Sequence, residues 1–338
     1  MKIISGRNVS EALVLGLQSL QVEGVDRDSR NGPVRLFPTP VTTIYERPEE
    51  RVLFFPERDA NPYFHFMESL WMVAGRRDVA WISQFSSNIA NYSDDGVTFH
   101  GAYGARWRNW FPPAVGDRQY GDGVVDQLET IASLLRQNPD DRRVVLQMWD
   151  TSSDLGMNGK DFPCNLICTF RISPYGKLDM TVFNRSNDMI WGAYGANAVH
   201  FSVLQEVMAA WVGAPMGAYW QVSTNFHSYH NTLEKHGDVV KNGVGFDPYS
   251  LGKVRAFPIV NGPIEQWFQD LTMFMEQGPV IGLQDRFFKK VATPMWQSWF
   301  AWKDRENPNY MQNALAFADQ IIAEDWRLAC TEWLERRI

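Results

Sequence analysis

Residues 198 to 212 place Val199, Val203, Leu204, Val207 and Trp211 along a helical repeat with few polar interruptions. A helix that is apolar on most of its faces must be covered on most of its faces. It reads as a central helix, and the other elements must be arranged around it. The 338 residues, 45% hydrophobic, suffice for the core this requires. No fixed-period repeat and no Gly/Ser- or Pro-rich linker divides the chain, so residues 1 to 338 read as one continuous domain.

Periodicity supplies the surrounding elements. Phe66, Leu70 and Val73 predict a helix over 62–75 that stops at Gly75, and this helix carries the carboxylate Glu68 on an otherwise oily surface. Val125, Leu128, Ile131, Leu134 and Leu135 predict a second helix over 125–137, followed by an Asn-Pro-Asp-Asp turn and then Arg142 and Arg143. Strands are expected at 144–149, 165–172, 177–183 and 220–226, with Ser173-Pro174-Tyr175-Gly176 as a hairpin-like turn between the second and third. Helices are expected at 263–277 and 310–335. The mixed order predicts an α+β fold with much of the sheet antiparallel.

The formal charge of −7 gives no overall attraction to a nucleic-acid backbone or an anionic membrane, although locally clustered arginines still suit anionic small molecules. There is no apolar run of about 18 residues and no signal-peptide pattern at the start, which leads us to expect a cytoplasmic protein without direct nucleic-acid or membrane partners. Cys164, Cys168 and Cys330 are too few for a disulfide framework or a four-thiolate zinc site, and the six histidines form no His-Glu-x-x-His pattern. Metal-free chemistry is expected.

Cys164 follows Pro163 at the mouth of a predicted strand, where a loop can present it to a ligand. A lone cysteine is more often inert core filling, so Cys164 needs an activating neighbour. Asn184-Arg185-Ser186-Asn187-Asp188 puts a guanidinium, a hydroxyl and a carboxylate at one strand end, suited to gripping a phosphate or serving as a solvated loop. Arg30, Arg142 and Arg143 taken singly are ordinary surface arginines. Glu68 must be paired, protonated or functional, or must reach out beside Arg76 or Arg77.

Together, Pro163-Cys164, Asn184 to Asp188, Gly192 to Asn197 and Phe226-His227-Ser228-Tyr229 resemble the thymidylate synthase family in order and spacing. Arg142-Arg143, Glu68-Ser69-Leu70-Trp71 and Gly101 to Arg108 extend the likeness, which covers roughly residues 28 to 236 and only weakly 237 to 338. The resemblance implies a single α/β thymidylate synthase-like domain, with a large mixed, mostly antiparallel sheet packed on helices and on its copy in a homodimer. It implies that Cys164 attacks C6 of a pyrimidine deoxynucleoside monophosphate, making C5 nucleophilic toward 5,10-methylenetetrahydrofolate, a folate co-substrate. Arg30, Arg185 and Ser186 of one subunit, with Arg142 and Arg143 of the other, would hold the phosphate in active sites shared across the dimer. His227 and Tyr229 would bind the ribose, Asn197 the base, and Asp188 the pterin. Glu68 would organise water and proton transfer, and Tyr103 would assist removal of the C5 proton.

Three departures bear on the product. Asn165 stands where the family's methylating enzymes place His after the nucleophile, Ile89 falls where a shielding Trp is expected, and the terminal Trp333 to Ile338 lacks the short apolar tail that closes over folate. A poorly shielded exocyclic methylene is captured by water, which makes 5-hydroxymethylation of dUMP the first expectation, with dCMP the nearest competing substrate. Reductive C5 methylation is the alternative product. The Gly192 to Asn197 loop is one residue longer than the family spacing, and an intact Ser186 with Arg142-Arg143 implies a 2′-deoxy sugar. A noncatalytic nucleotide-binding protein and a cysteine hydrolase using Cys164 with a histidine base are the competing classes.

Overall fold

The computed structural model describes residues 1–113, 123–243 and 246–338. The apolar helix forms at Asn197–Val212, is buried without interruption from Asn197 to Gln205, and ends at Gly213 in the left-handed region, at φ 85°. The Pro62–Val73 and Gln127–Gln137 helices pack against it, and the strands of the main sheet lie on another side. Asn61 and Asp126 cap these two helices by accepting backbone N–H groups with their side chains.

The strands in chain order are β1 (Lys2–Gly6), β2 (Val25–Arg27), β3 (Val34–Leu36), β4 (Val41–Tyr45), β5 (Val145–Gln147), β6 (Asn165–Ile172), β7 (Leu178–Asn184), β8 (Asn187–Asp188), β9 (Met216–Ser223) and β10 (Phe226–Tyr229). Six form the main sheet in the order β1-β4-β9-β7-β6-β5, and four form a smaller one in the order β2-β3-β10-β8. In the main sheet β1 with β4 and β7 with β9 are parallel while the remaining pairs are antiparallel. The mixed α+β architecture matches the expectation.

Alternation gives the main sheet two unlike faces. Along β9, Gly217, Tyr219, Gln221 and Ser223 are buried, while Met216, Ala218, Trp220 and Val222 point the other way and are half-buried. The register sets Ile44, Trp220, Thr181 and Thr169 in one outward row, and Thr42, Val222, Phe183 and Ile167 in the next. This face is broad and largely apolar.

Three sequence expectations need correction. The strand expected at 220–226 begins at Met216 and breaks at Thr224–Asn225, where the chain leaves the main sheet for the smaller one. The helix expected at 310–335 is two, Tyr310–Ala318 and Glu324–Glu335, because the chain turns to bury Ile321 and Ala323 completely. The strand expected at 144–149 narrows to β5.

Candidate active site

Cys164 sits where the loop Asp161–Pro163 enters β6, opposite the end of β7. Arg185 fastens this loop: its backbone N–H donates to Cys164 O at 2.9 Å, and its Nε donates to Pro163 O at 2.9 Å. From the other side, Tyr103 Oη accepts the backbone N–H groups of Cys164 at 3.0 Å and Asn165 at 3.1 Å. Burial pushes the Tyr103 phenol far up, so it stays protonated. Burial also raises the Cys164 thiol, opposed by Arg185 and reinforced by Asp161. Cys168 and Cys330 are completely buried, and Cys164 alone of the three is partly accessible.

One cavity of about 550 Å³ opens on Cys164 and gathers Arg30, Arg185, Ser186, Asp188, His227 and Tyr229. Arg30 is carried by the tight Ser29–Gly32 turn, closed by hydrogen bonds in both directions between the end residues. His227 on β10 lies directly across from Asp188 on β8. Burial lowers the imidazole pKa, and His227 Nδ1 lies 2.8 Å from Asn225 Oδ1. Asp188 Oδ1 accepts the Ile190 and Trp191 N–H groups at 2.9 and 2.6 Å, whereas its Oδ2 is buried without a hydrogen-bond partner among the described residues. Burial raises this carboxyl above the ordinary range. Trp149 and Lys160, which the sequence did not single out, line the same space.

A smaller cavity of about 220 Å³ holds Glu68, Tyr103 and Asn197 among apolar walls that include Trp71, Ile82, Ile89 and Phe99. The packing of the Pro62–Val73 helix on the Asn197–Val212 helix brings Glu68 Oε2 to 3.1 Å from His200 Nε2, without hydrogen-bond alignment. Glu68 therefore does not reach out to Arg76 or Arg77: Arg76 is bound to Asp78 at 2.7 Å, and Arg77 lies 5.8 Å from the Trp110 ring centre. Burial, with His200 and Arg58 nearby, depresses His65 to about 3, so it adds no charge beside them. Asp161 also lines this cavity, accepting the Gly101 N–H at 2.8 Å, with its carboxyl raised by burial. Gly101 leaves room for this carboxylate, since a Cβ there would stand 2.9 Å from Asp161 Oδ1.

His200 and Asp161 were missed by sequence reasoning. Each had a signal: His200 lies three residues after Asn197 on one helix, and Asp161 three residues before Cys164. Of the Gly192 to Asn197 segment, expected as a long loop, Gly192 to Ala196 belong to a wide-turned helix at Met189–Ala196, kinked where Tyr194 and Gly195 leave helical geometry, and Asn197 opens the central helix. Wide turns absorb one extra residue without unpairing the flanking helix.

Arg142 and Arg143 lie outside both cavities, exposed just before edge strand β5, with Arg143 Nη2 2.6 Å from Asp141 Oδ2. One chain does not bring them to Cys164. Among the described residues no cluster of three or more His, Cys, Asp or Glu could hold a metal ion, and no helix is long and apolar enough to cross a membrane.

Comparison with known proteins adds three findings. The family profile described as thymidylate synthase matches residues 21–254. The deoxyuridylate hydroxymethyltransferase of Pseudomonas phage M6 is 51% identical over 344 aligned positions, covering 100% of this chain and 95% of that protein. The deoxyuridylate hydroxymethyltransferase of Bacillus phage SP01 is 38% identical over 56% of this chain and 49% of its own length, and the thymidylate synthase of Corynebacterium aurimucosum is 30% identical over 51% and 62%. The likeness to the phage M6 protein thus extends through residues 237 to 338, where the motifs are weak.

Proposed function

Because the chain belongs to the thymidylate synthase family, we propose that it transfers a one-carbon unit to C5 of dUMP and releases 5-hydroxymethyl-dUMP. The observation that carries this reading is the setting of Cys164. It opens on a polar cavity rich in arginine, and Tyr103 ties its backbone to a second cavity that holds carboxylates between apolar walls. The similarity to phage proteins named for this activity supports it.

In the polar cavity Arg30, Arg185 and Ser186 hold the phosphate, while His227 and Tyr229 bond the ribose. 5,10-Methylenetetrahydrofolate, as second substrate, supplies the carbon. Two features fit it: the unpartnered Asp188 Oδ2 is free to accept an N–H of its pterin, and Trp71, Ile82, Ile89 and Phe99 offer apolar surface to a flat ring.

Cys164 Sγ adds as thiolate to C6, and the electron density passes to C5 and O4, where Asn197 donates a hydrogen bond. C5 bonds to the one-carbon unit as that carbon's bond to N10 of the folate breaks; C5 then gives its proton to a water oriented by Tyr103 while the carbon's bond to N5 breaks, so that tetrahydrofolate leaves and an exocyclic methylene remains on C5. The exocyclic methylene then forms a C–O bond with water, and Glu68 receives the water's proton. The electron pair restores the C5–C6 double bond as the C6–Sγ bond breaks, returning Cys164 as thiolate. Ile89, smaller than an indole, leaves the methylene open to water.

A homodimer with shared sites completes the reading. The outward rows of the main sheet around Trp220, Val222 and Phe183 supply the apolar face for a second copy. Arg142 and Arg143, at the edge of the same sheet, then reach the partner's phosphate.

The test is mass spectrometry of nucleotides after incubation with methylenetetrahydrofolate and equimolar dUMP, dCMP and CMP, with dihydrofolate absorbance followed in parallel. A hydroxymethyl product on dUMP without dihydrofolate is expected. A methyl product with stoichiometric dihydrofolate, or modification of dCMP or CMP in preference to dUMP, would refute the proposal.

A further inference from the structure

Two packed helices bring a carboxylate and an imidazole together in the core. Glu68 belongs to the Pro62–Val73 helix and His200 to the Asn197–Val212 helix, and their facing atoms, Oε2 and Nε2, lie 3.1 Å apart. His200 is 4% exposed, and its Nε2 is buried with no hydrogen-bond partner among the described residues. A buried ring nitrogen in that state costs free energy unless a ligand or a reaction uses it. Both side chains line the cavity of about 220 Å³, which is ample for water.

The other polar groups around this cavity are engaged elsewhere. Tyr103 Oη accepts the Cys164 and Asn165 N–H groups and stays protonated, and Asp161 accepts the Gly101 N–H. Behind His200 the ring of His65 stands edge-on at 6.3 Å and is neutral, so it does not compete for the Glu68 carboxylate.

We propose that His200 is the positioning residue that makes Glu68 a base for water, so that the pair, and not Glu68 alone, commits the exocyclic methylene to hydroxymethylation. The inference rests on the proposed function, in which water ends the reaction. The water oxygen bonds to the methylene carbon, and one water proton passes to Glu68. As the imidazole turns into line, that proton crosses the 3.1 Å contact to His200 Nε2. The electron pair of the methylene restores the C5–C6 double bond and expels Cys164 as thiolate. His200 returns the proton to solvent when the product leaves. Because the imidazolium stands against the carboxylate, it is never an isolated buried charge.

Only the last step needs this base, so the earlier steps serve as an internal control. The test follows one turnover of the intact protein with methylenetetrahydrofolate, dUMP carrying tritium at C5, and added mercaptoethanol. Tritium release reports every step up to loss of the C5 proton. The hydroxymethyl product reports capture of the methylene by water, and a thioether reports capture by the added thiol, which as thiolate needs no base. The unsubstituted protein is expected to release tritium and form hydroxymethyl-dUMP together. His200→Gln keeps a polar side chain but holds no proton. It should release tritium within about threefold of the unsubstituted rate, form the hydroxymethyl product about a hundredfold more slowly, and divert the methylene chiefly to thioether.

Equal losses of tritium release and hydroxymethyl product would make His200 a structural residue and overturn the inference, as would an unchanged share of thioether. A methyl product with dihydrofolate from the unsubstituted protein would instead overturn the proposed function on which the inference rests. Should His200→Gln fail to fold, His200→Ala is assayed with and without added imidazole. Recovery of the hydroxymethyl product with imidazole, at an unchanged rate of tritium release, is expected, and no recovery would overturn the inference.

Discussion

The two cavities beside Cys164 are built on different principles. The larger takes its polar groups from loops and strand ends: Arg30 from a tight turn, Arg185 and Ser186 from the end of β7, His227 and Tyr229 from β10. The smaller takes its groups from helices packed in the core, with Glu68 and His200 turned toward each other and Asn197 held among buried amides. Loops that present guanidinium groups suit a charged ligand that arrives from solvent. A cavity fixed by helix packing suits groups that must be positioned closely and kept from bulk water. The account therefore assigns affinity to the first and chemistry to the second, and substitutions should separate them.

The largest effect is expected at the junction. Cys164→Ser should lower turnover by about a thousandfold or more while leaving dUMP affinity nearly intact, because oxygen is a poorer nucleophile of similar shape. Kinetics and binding measured together check this, and retained turnover would remove Cys164 from its role. Next, Glu68→Gln should lower kcat about a hundredfold with little change in dUMP affinity. A change confined to affinity would place Glu68 with the binding groups and break the comparison.

Arg185→Ala and Arg143→Ala should weaken dUMP binding about tenfold each, the effect of losing one charge-assisted contact to phosphate. The two differ in where they act. Arg143 lies outside the cavities of its own chain, so subunits carrying Arg143→Ala, mixed with subunits carrying Cys164→Ser, should regain activity in heterodimers. Proven heterodimers without recovery would refute the shared site.

The smallest effect is electrostatic. Burial holds the free Cys164 thiol above its ordinary value, with Arg185 pulling it down and Asp161 pushing it up. The thiolate is the charged form, so alkylation by iodoacetamide should rise only above the ordinary thiol range. Asp161→Asn should move that rise to lower pH, and Arg185→Ala to higher pH. Shifts of the opposite sign would contradict the charges placed around the nucleophile.

Much of the polar cavity was legible in the sequence, because strand ends carry their residues in short contiguous blocks such as Asn184 to Asp188 and Phe226 to Tyr229. The central helix and β6 were legible from periodicity, and the turn after β6 from Ser173 to Gly176, where Gly176 takes a left-handed conformation. The helix Val9–Glu23 went unread although Asn8 caps it, since its burial depends on partners distant in sequence. The helical cavity was harder for the same reason. Nothing in Glu68 or His200 taken singly says that two packed helices set them 3.1 Å apart. The contacts among Asn165, Asn184, Asn187 and Asn197 are still less visible, since these side chains meet only where strands and a kinked helix converge. The exposed Arg142 and Arg143 lie outside both cavities of their own chain, and only the proposed dimer would give them a site.

The central claim is that water, admitted beside Ile89, ends the reaction at C5 of dUMP. The most direct measurement is turnover in water enriched in heavy oxygen, with the nucleotide product examined by mass spectrometry. The account predicts one labelled oxygen in a hydroxymethyl group on the base and no dihydrofolate. An unlabelled methyl product, with one dihydrofolate per turnover, would contradict it.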